Sequence, residues 1–164
     1  MRASLRAKFE RLLESIVLIL LGSLAALVVV AVLFRKAGAS IVWYDEVASV
    51  LLAWLTYYCA SLAALKRAHI GFPKLVLAAP LRLRRLLYAA REIIVIGFFA
   101  IVAWAGWQVL MVLEGTYLVS LPWVPTQLTQ SVIPIGAVLF IVAELLSFTD
   151  VLRAEAAAAE EHRP

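Results

Sequence analysis

The stretch WYDEVASVLLAWLTYYCASLAALKRAHIGF, Trp43 to Phe72, decides the fold of this chain. Its middle, residues 47–65, carries no charge, while two carboxylates precede it and a cluster of Lys, Arg and His follows it. A helix of about 20 apolar residues crosses a hydrocarbon core about 30 Å thick. Acidic residues suit a helix start, and basic residues suit a helix end and anchor it at the membrane surface. The stretch therefore predicts a helix that spans a membrane in one orientation.

The rest of the chain has the composition of a membrane protein. Of its 164 residues, 65% are hydrophobic and 16% are charged, whereas soluble domains average about 45 to 50% apolar and about 25% charged residues. We predict an all-α integral membrane protein with a four-span domain over residues 1–150 and a cytoplasmic tail over 151–164. A cleaved signal peptide is the competing interpretation of the first span, but its apolar part is too long. The predicted spans are about 15–34, 47–65, 93–113 and 128–148.

Basic residues are distributed unevenly between the two sides that these spans define. Thirteen of the 15 Lys and Arg residues fall on one side. The positive-inside rule then places both termini in the cytoplasm. The net charge of +4 is explained by this topology, so we predict no nucleic-acid partner.

Two polar segments have helical spacing of their apolar residues, and we predict that both lie as amphipathic helices on the cytoplasmic surface. They cover about 3–14 and 73–92. The first would then turn into the membrane. A basic face on the second would contact anionic lipid headgroups, and a face that docks a partner is the alternative. The residues predicted to contact headgroups are Arg82, Arg84, Arg85 and Arg91.

Catalytic and cofactor chemistry have little support in this sequence. Cys59 is the single cysteine, and the two histidines, His69 and His162, lie outside the apolar runs. No disulfide framework, cysteine metal site or bis-histidine haem within the membrane can come from this chain alone. No nucleophile–base set or phosphate loop is present, so we predict no enzymatic activity, no metal and no cofactor.

Two carboxylates lie at or within the apolar runs. Glu144 lies about one turn from the cytoplasmic end of the last span, where it either reaches the interface, pairs with a basic group or contacts another subunit. Glu14 stands at the mouth of the first span. Ionisable residues within spans are typical of transport pathways. If the chain were a self-sufficient homodimeric transporter, Glu14 or Glu144 would therefore carry the coupling.

Helix faces supply the remaining signals. Small residues allow helices to approach closely in lipid, and the second span has a small-residue stripe that packs either within the chain or against a partner. Trp54 lies near the middle of that span, where a tryptophan usually packs into protein. Pro122 and Pro125 flank Trp123 and predict a rigid extended turn before the fourth span. The stripe consists of Ser49, Ala53, Thr56, Ala60 and Ala64.

In their order and spacing, WYDEVASVLLAW, KRAHIGF and LPWVPTQLTQSVIPIG resemble the small membrane subunit of tripartite ATP-independent periplasmic (TRAP) transporters, the DctQ-like family. The resemblance covers about residues 12–148. Pro122 or Pro125, with Pro134, matches the proline-rich approach of the family to its last span. The sequence departs from the family at residues 57–59, where relatives often carry small residues, and at Pro73, where an acidic residue is common. Trp43, Glu46, Trp54 and His69 stand where the family has Trp, Glu, Trp and His.

The resemblance implies a small scaffold subunit of a sodium-coupled transporter that imports organic acids across a bacterial inner membrane. Its implied partners are a large DctM-like membrane subunit that moves the substrate by an elevator motion, a periplasmic DctP-like binding protein that delivers it, and membrane lipids. Structural or subunit-contact roles are expected for a set of residues drawn from the motifs and the helix faces. These are Trp43, Asp45, Glu46, Ala53, Trp54, Ala60, His69, Pro122, Pro134 and Glu144.

Overall fold

Helices make up most of the described chain. The structure, a computed structural model, describes residues 2–66 and 80–161. Within this part no strand forms, and the one extended pairing is an isolated bridge between Tyr117 and Pro125. The prediction of an all-α protein is confirmed. The helices are α1 (Arg2–Lys36), α2 (Tyr44–Leu65), α3 (Leu81–Val112), α4 (Thr126–Gln130) and α5 (Val132–Glu161).

Four helical segments in the described part are long and apolar enough to cross a membrane. Helices suit this environment because they satisfy their own backbone hydrogen bonds where no water can do so. The fourth segment runs through α4 and the first part of α5. The segments are Arg6–Lys36, Tyr44–Leu65, Leu86–Val112 and Thr126–Phe148.

The two predicted surface segments are parts of longer helices where the structure describes them. Residues 3–14 form the first turns of α1, which continues without a break to Lys36. No Pro or Gly separates this segment from the apolar stretch that follows it, and the helix also runs through Gly22. The second segment begins outside the described residues. From Leu81 onward it opens α3, directly after Pro80, whose fixed backbone suits the position before a helix.

Helix α1 ends in a tight turn that leads into α2. Gly38 has a φ of +81°, a left-handed conformation that glycine adopts without steric cost. The Ala39 N–H donates to the Phe34 carbonyl at 3.0 Å, and the Gly38 N–H donates to the Arg35 carbonyl at 3.1 Å. These bonds satisfy carbonyls that the helix end would otherwise leave unpaired.

The long helices lie side by side in the order α1, α2, α5, α3. Helix α2 packs against α1 and α5, and α5 packs against α3. Large apolar side chains remain exposed along both flanking helices, α1 and α3. In a membrane such side chains contact lipid or another protein. The buried cluster is small, and it consists of Leu13, Ala64, Leu65, Phe140 and Ala143.

Two glycines allow α5 to approach its neighbours closely. A Cβ atom added at Gly136 would lie 2.7 Å from the Tyr57 Cβ atom on α2. A Cβ atom at Gly106 on α3 would lie 2.8 Å from the Ile133 Cγ2 atom and 3.0 Å from the Pro134 Cδ atom. The helices therefore touch at points where one partner has no side chain. The bulk of Tyr57 is accommodated by a glycine on the facing helix.

Candidate functional site

Polar contacts hold the helices together at both ends of the row. We call the end with the α1–α2 turn the turn end, and the end with the start of α1 the N-terminal end. Between them, residues 15–34, 47–65, 93–113 and 128–143 contain no charged side chain. The charged groups that could act chemically are thus confined to the two ends.

At the turn end, Glu46 joins the start of α2 to the loop that follows α3. Its carboxylate accepts hydrogen bonds from the backbone N–H of Val119 at 2.9 Å and of Ser120 at 2.8 Å, and from the Ser120 hydroxyl. Hydrogen bonds to a charged acceptor are stronger than bonds between neutral groups. Glu46 therefore fixes a loop that is far from it in sequence.

The same loop is also held by its own backbone. The Leu118 N–H donates to the Val124 carbonyl at 3.1 Å, and the Thr126 N–H donates to the Thr116 carbonyl at 3.0 Å. Gly115, with a φ of +76°, begins the turn after α3. The loop is thus a short hairpin-like structure, in agreement with the rigid turn expected from its prolines.

Trp54 connects α2 to α4, nearer the turn end of the row than the N-terminal end. Its indole N–H donates to the Thr129 carbonyl at 2.9 Å. The ring lies 6.3 Å from that of Tyr58, centroid to centroid. Gln127 makes the corresponding connection to α3, because its side-chain amide donates to the Leu110 carbonyl at 2.9 Å. The short helix α4 is therefore held from both sides.

At the N-terminal end, α3 and α5 are joined by an ion pair. The Arg91 guanidinium donates to the Glu144 carboxylate at 2.6 Å. The Glu144 side chain is only 4% exposed, whereas that of Arg91 is 46% exposed. A buried carboxylate requires a partner of this kind because burial without one is costly. Of the three roles considered for Glu144, pairing with a basic group is the one that the geometry displays.

The last carbonyls of α2 are satisfied by side chains from the neighbouring helices. The Ser147 hydroxyl lies 2.8 Å from the Leu65 carbonyl oxygen and 3.0 Å from that of Ala64. The Arg6 guanidinium also donates to the Leu65 carbonyl, at 3.1 Å. A helix end leaves such carbonyls without partners inside the helix. Helices α1 and α5 thus cap α2 jointly.

Lys66, the residue directly after α2, pairs with two carboxylates of α1. Its ammonium donates to Glu14 and lies 3.6 Å from the Glu10 carboxylate. The hydrogen bond with Glu14 is the main cause that raises the pKa of Lys66. The ammonium therefore stays charged at neutral pH, and this exposed ion pair links the first two helices.

Three of the predicted site residues, Glu46, Trp54 and Glu144, make these contacts inside the chain. Pro134 lies half-buried against α3, next to Gly106. Within the chain these four residues serve packing and hydrogen bonding. The prediction that they also contact another subunit stays a prediction.

The other described site residues differ in exposure. Trp43 is the N-cap of α2 and is 40% exposed. Asp45, Ala53 and Pro122 are exposed, whereas Ala60 is half-buried. The small-residue stripe on α2 is thus divided, with its Ala60 end against neighbouring helices and its Ala53 end open.

Several predictions concern positions that the structure does not describe. His69 lies outside the described residues. Arg82, Arg84 and Arg85 fall in the first turns of α3, and their side chains lie outside the described part as well. Arg91 pairs with Glu144 but remains about half exposed, so its contact with headgroups stays a prediction.

Sequence reasoning missed the contacts that cap α2 and those that clamp the loop. Ser147 is a polar residue one turn after Glu144, and that spacing could have marked it. Ser120 and Thr129 offered no such signal, since their main contribution is through backbone atoms. No group of three or more His, Cys, Asp or Glu side chains suited to a metal occurs among the residues that the structure covers.

Comparison with known proteins yields one finding. A family model described as "Tripartite ATP-independent periplasmic transporters, DctQ component" matches residues 24–154. Comparison with curated individual proteins gave no match. The matched range contains α2, α3, α4, most of α5 and about the last third of α1.

Proposed function

Because the chain belongs to the DctQ component family of tripartite ATP-independent periplasmic transporters, we propose that it is the static scaffold subunit of such a transporter. Membership makes it a small transport subunit and not an enzyme. In our proposal it holds a large membrane subunit that moves organic acids together with sodium by an elevator motion. A periplasmic binding protein delivers the substrate. The chain lies in a bacterial inner membrane with both termini in the cytoplasm.

The observation that carries this proposal is the distribution of polar contacts. At the turn end, Glu46 joins α2 to the loop after α3 and Trp54 joins α2 to α4. At the N-terminal end, Glu144 joins α5 to α3. Such contacts oppose sliding of one helix past another. A subunit that anchors a moving partner must resist this motion, and a charge-free middle does not provide an ion pathway.

The exposed edge of α2 is the surface that we assign to the large subunit. It comprises the open part of the small-residue stripe, Ser49, Ala53 and Thr56. The Ser49 hydroxyl donates to the Asp45 carbonyl at 2.7 Å, and the Thr56 hydroxyl donates to the Leu52 carbonyl at 2.8 Å. Both hydroxyls are thus satisfied within their own helix. The side chains on this edge are small, which favours close contact between helices in lipid.

The alternative, a self-sufficient transporter, would need a carboxylate that is available to a solute. Glu14 pairs with Lys66, and Glu144 pairs with Arg91. Both pairs lie at the N-terminal end of the row. This arrangement favours the scaffold role.

The first test is co-expression of the tagged chain with its large membrane subunit, followed by purification in mild detergent and native mass determination. We expect a one-to-one complex. Ala53→Trp should abolish it, whereas Ala100→Trp, at an exposed position on α3, should leave it intact. A homodimer that excludes the large subunit would contradict the scaffold role. Equal effects of the two substitutions would contradict only the assignment of the surface.

The coupling of organic-acid uptake to sodium is tested separately in liposomes that contain both membrane subunits, with the binding protein added outside. Uptake of an organic acid should require all three components and an inward sodium gradient. Uptake by liposomes that contain this chain alone would support the self-sufficient alternative. Uptake that persists without sodium would exclude sodium coupling but leave the scaffold role standing.

A further inference from the structure

The outward face of α3 carries an exposed amide side chain within the apolar layer. Gln108 is exposed and belongs to the membrane-length segment Leu86–Val112. It lies four residues before the end of that segment, which is about 6 Å along the helix axis. Exposed apolar side chains lie on both sides of it along the axis, with Trp104 one turn deeper and Val112 one turn further out. Gln108 is therefore surrounded by the apolar band and does not mark its edge.

The amide of Gln108 is not used inside the chain. Within the described part, its side-chain nitrogen and oxygen make no hydrogen bond, whereas the side-chain amide of Gln127 donates to the Leu110 carbonyl. An amide that lies in hydrocarbon without a hydrogen bond carries a free-energy cost. A partner outside these residues must therefore supply both an acceptor for the amide N–H groups and a donor for the amide oxygen.

The nearer membrane surface does not serve this amide, because the side chain leans away from it. The Cα–Cβ bonds of a helix tilt toward its N-terminus. Helix α3 begins at the N-terminal end of the row, and Gln108 lies near the turn end. Its side chain is thus directed toward the middle of the apolar layer. Acyl chains have neither donors nor acceptors there, so lipid does not satisfy the amide.

Gln108 belongs to a face of α3 that is open along its length. Gly106 packs against α5 and is two residues away from both Trp104 and Gln108, which corresponds to about 200° around the helix. These two side chains therefore point away from α5. Ile101, Trp104 and Met111 are each more than half exposed. Positions 101, 104, 108 and 111 alternate in spacings of three and four, as along the contact line of two parallel helices. We call these four residues the α3 seam.

We propose that the α3 seam is the interface between two copies of this chain. Copies in one membrane share one orientation, so a two-fold axis along the membrane normal sets their α3 helices parallel and each seam residue opposite itself. A side-chain amide carries both donors and an acceptor, so the two Gln108 side chains form two reciprocal hydrogen bonds. Residues 93–113 contain no charged side chain, so two identical faces meet without repulsion. The self-complementary amide selects this occupant.

The large membrane subunit is the other protein that could cover α3, but we assign it to the exposed edge of α2. In the row, α5 lies between α2 and α3, so the two surfaces are separate. A pair of copies joined at the α3 seam leaves both α2 edges open and gives a two-to-two assembly with the large subunit. The inference goes beyond the scaffold role and does not depend on it, because the pair forms with or without a large subunit.

The experiment uses the full chain in liposomes, as two populations that carry a donor or an acceptor fluorophore at the C-terminus. Energy transfer between them is measured while added lipid dilutes the protein. We expect transfer that saturates, with a defined midpoint in the protein-to-lipid ratio. Gln108→Leu should move that midpoint about tenfold toward higher protein content, since it removes two interhelical hydrogen bonds in lipid.

Two variants control for the chemistry of this substitution. Gln108→Asn keeps an amide at the same position and should retain most of the association. Ser23→Leu also removes an exposed polar side chain from a membrane-length segment, but it lies on α1, at the other edge of the row. It should leave the midpoint unchanged. Circular dichroism in the same liposomes establishes that each variant is folded.

A second measurement tests which face of α3 forms the contact. In a Cys59→Ala background, which removes the single cysteine, one cysteine is introduced on α3 and the membranes are oxidised. Met111→Cys should give disulfide-linked dimers, because opposite seam residues lie close enough to be bridged. Val109→Cys should not, since it lies about 100° around the helix from Gln108.

Four results would overturn the proposal. Energy transfer that rises with protein content and does not saturate would show random encounters. Equal shifts of the midpoint by Gln108→Leu and Ser23→Leu would show a general effect of lost polarity. Equal disulfide formation by the two cysteine variants would place the contact elsewhere. Loss of energy transfer when the large subunit is added would show that this subunit, and not a second copy, covers the seam.

Discussion

Gly136→Ala should destabilise the protein by forcing α2 and α5 apart. The added Cβ atom would lie 2.7 Å from both the Cβ and Cδ1 atoms of Tyr57 and 3.0 Å from its Cγ atom. Rotation of the tyrosine ring moves Cδ1 but cannot move Cβ, which is fixed to the backbone of α2. The contact is therefore relieved only by a shift of one helix relative to the other.

The magnitude follows from two opposed effects. Overpacking of a well-packed contact costs about 1 to 3 kcal/mol. Alanine gains up to about 1 kcal/mol over glycine in a helix. The helix shift would also lengthen the contact between the Ser61 hydroxyl and the Gly136 carbonyl, now 3.3 Å. We expect a net loss of about 1 to 2 kcal/mol, which is about a 5- to 30-fold change in the unfolding equilibrium.

The assay is reversible unfolding in mixed micelles with an increasing mole fraction of sodium dodecyl sulfate, followed by tryptophan fluorescence. Gly97→Ala is the matched control, because a Cβ atom there would meet nothing within 4 Å. It should be neutral or slightly stabilising. Combination of Gly136→Ala with Tyr57→Gly should relieve the contact, whereas Tyr57→Ala should relieve it only in part because the Cβ atom remains.

A result that would refute this reasoning is an unfolding midpoint of Gly136→Ala equal to that of the unmodified chain. Equal destabilisation by Gly97→Ala would also refute it, since the effect would then come from the loss of glycine itself and not from close packing.

Three further substitutions address the polar contacts. Arg91→Gln should lower the free energy of unfolding by about 3 kcal/mol, because it leaves a buried carboxylate unpaired. Glu144→Gln should lower it by only about 1 kcal/mol, because the Arg91 side chain that loses its partner is about half exposed. The same micelle titration measures both values, and equal losses would contradict this reasoning. Glu46→Ala should accelerate proteolysis of the loop after α3, whose backbone it binds, while Asp45→Ala should not; the same cleavage rate in both would show that the loop holds itself. Trp54→Phe should cost about 1 kcal/mol in the free energy of unfolding through loss of one hydrogen bond, and no measurable loss would show that the indole N–H finds another acceptor.

The sequence by itself determined the environment of the protein and the type of its elements. An apolar stretch such as residues 47–65 is a local property, and the thickness of the hydrocarbon layer converts its length directly into a spanning helix. The need to satisfy every backbone group in lipid then excludes most other structures. The motifs around Trp43 and Glu46 were sufficient to indicate the family. The match of the family model to residues 24–154 confirms that the chain belongs to it.

Only the tertiary structure decided which helices meet and what each polar side chain binds. Glu46 looked like a helix-start carboxylate, yet its acceptor atoms are used by a loop more than 70 residues away. Trp54 and Ser61 contact backbone carbonyls 75 positions along the chain, and backbone carbonyls have no sequence signature. Glu144 had three possible roles until the fold placed Arg91 beside it. The physical reason is that membrane insertion depends on local apolar length, whereas helix pairing depends on the shapes of distant surfaces, such as Gly136 against Tyr57, which no single stretch of sequence encodes.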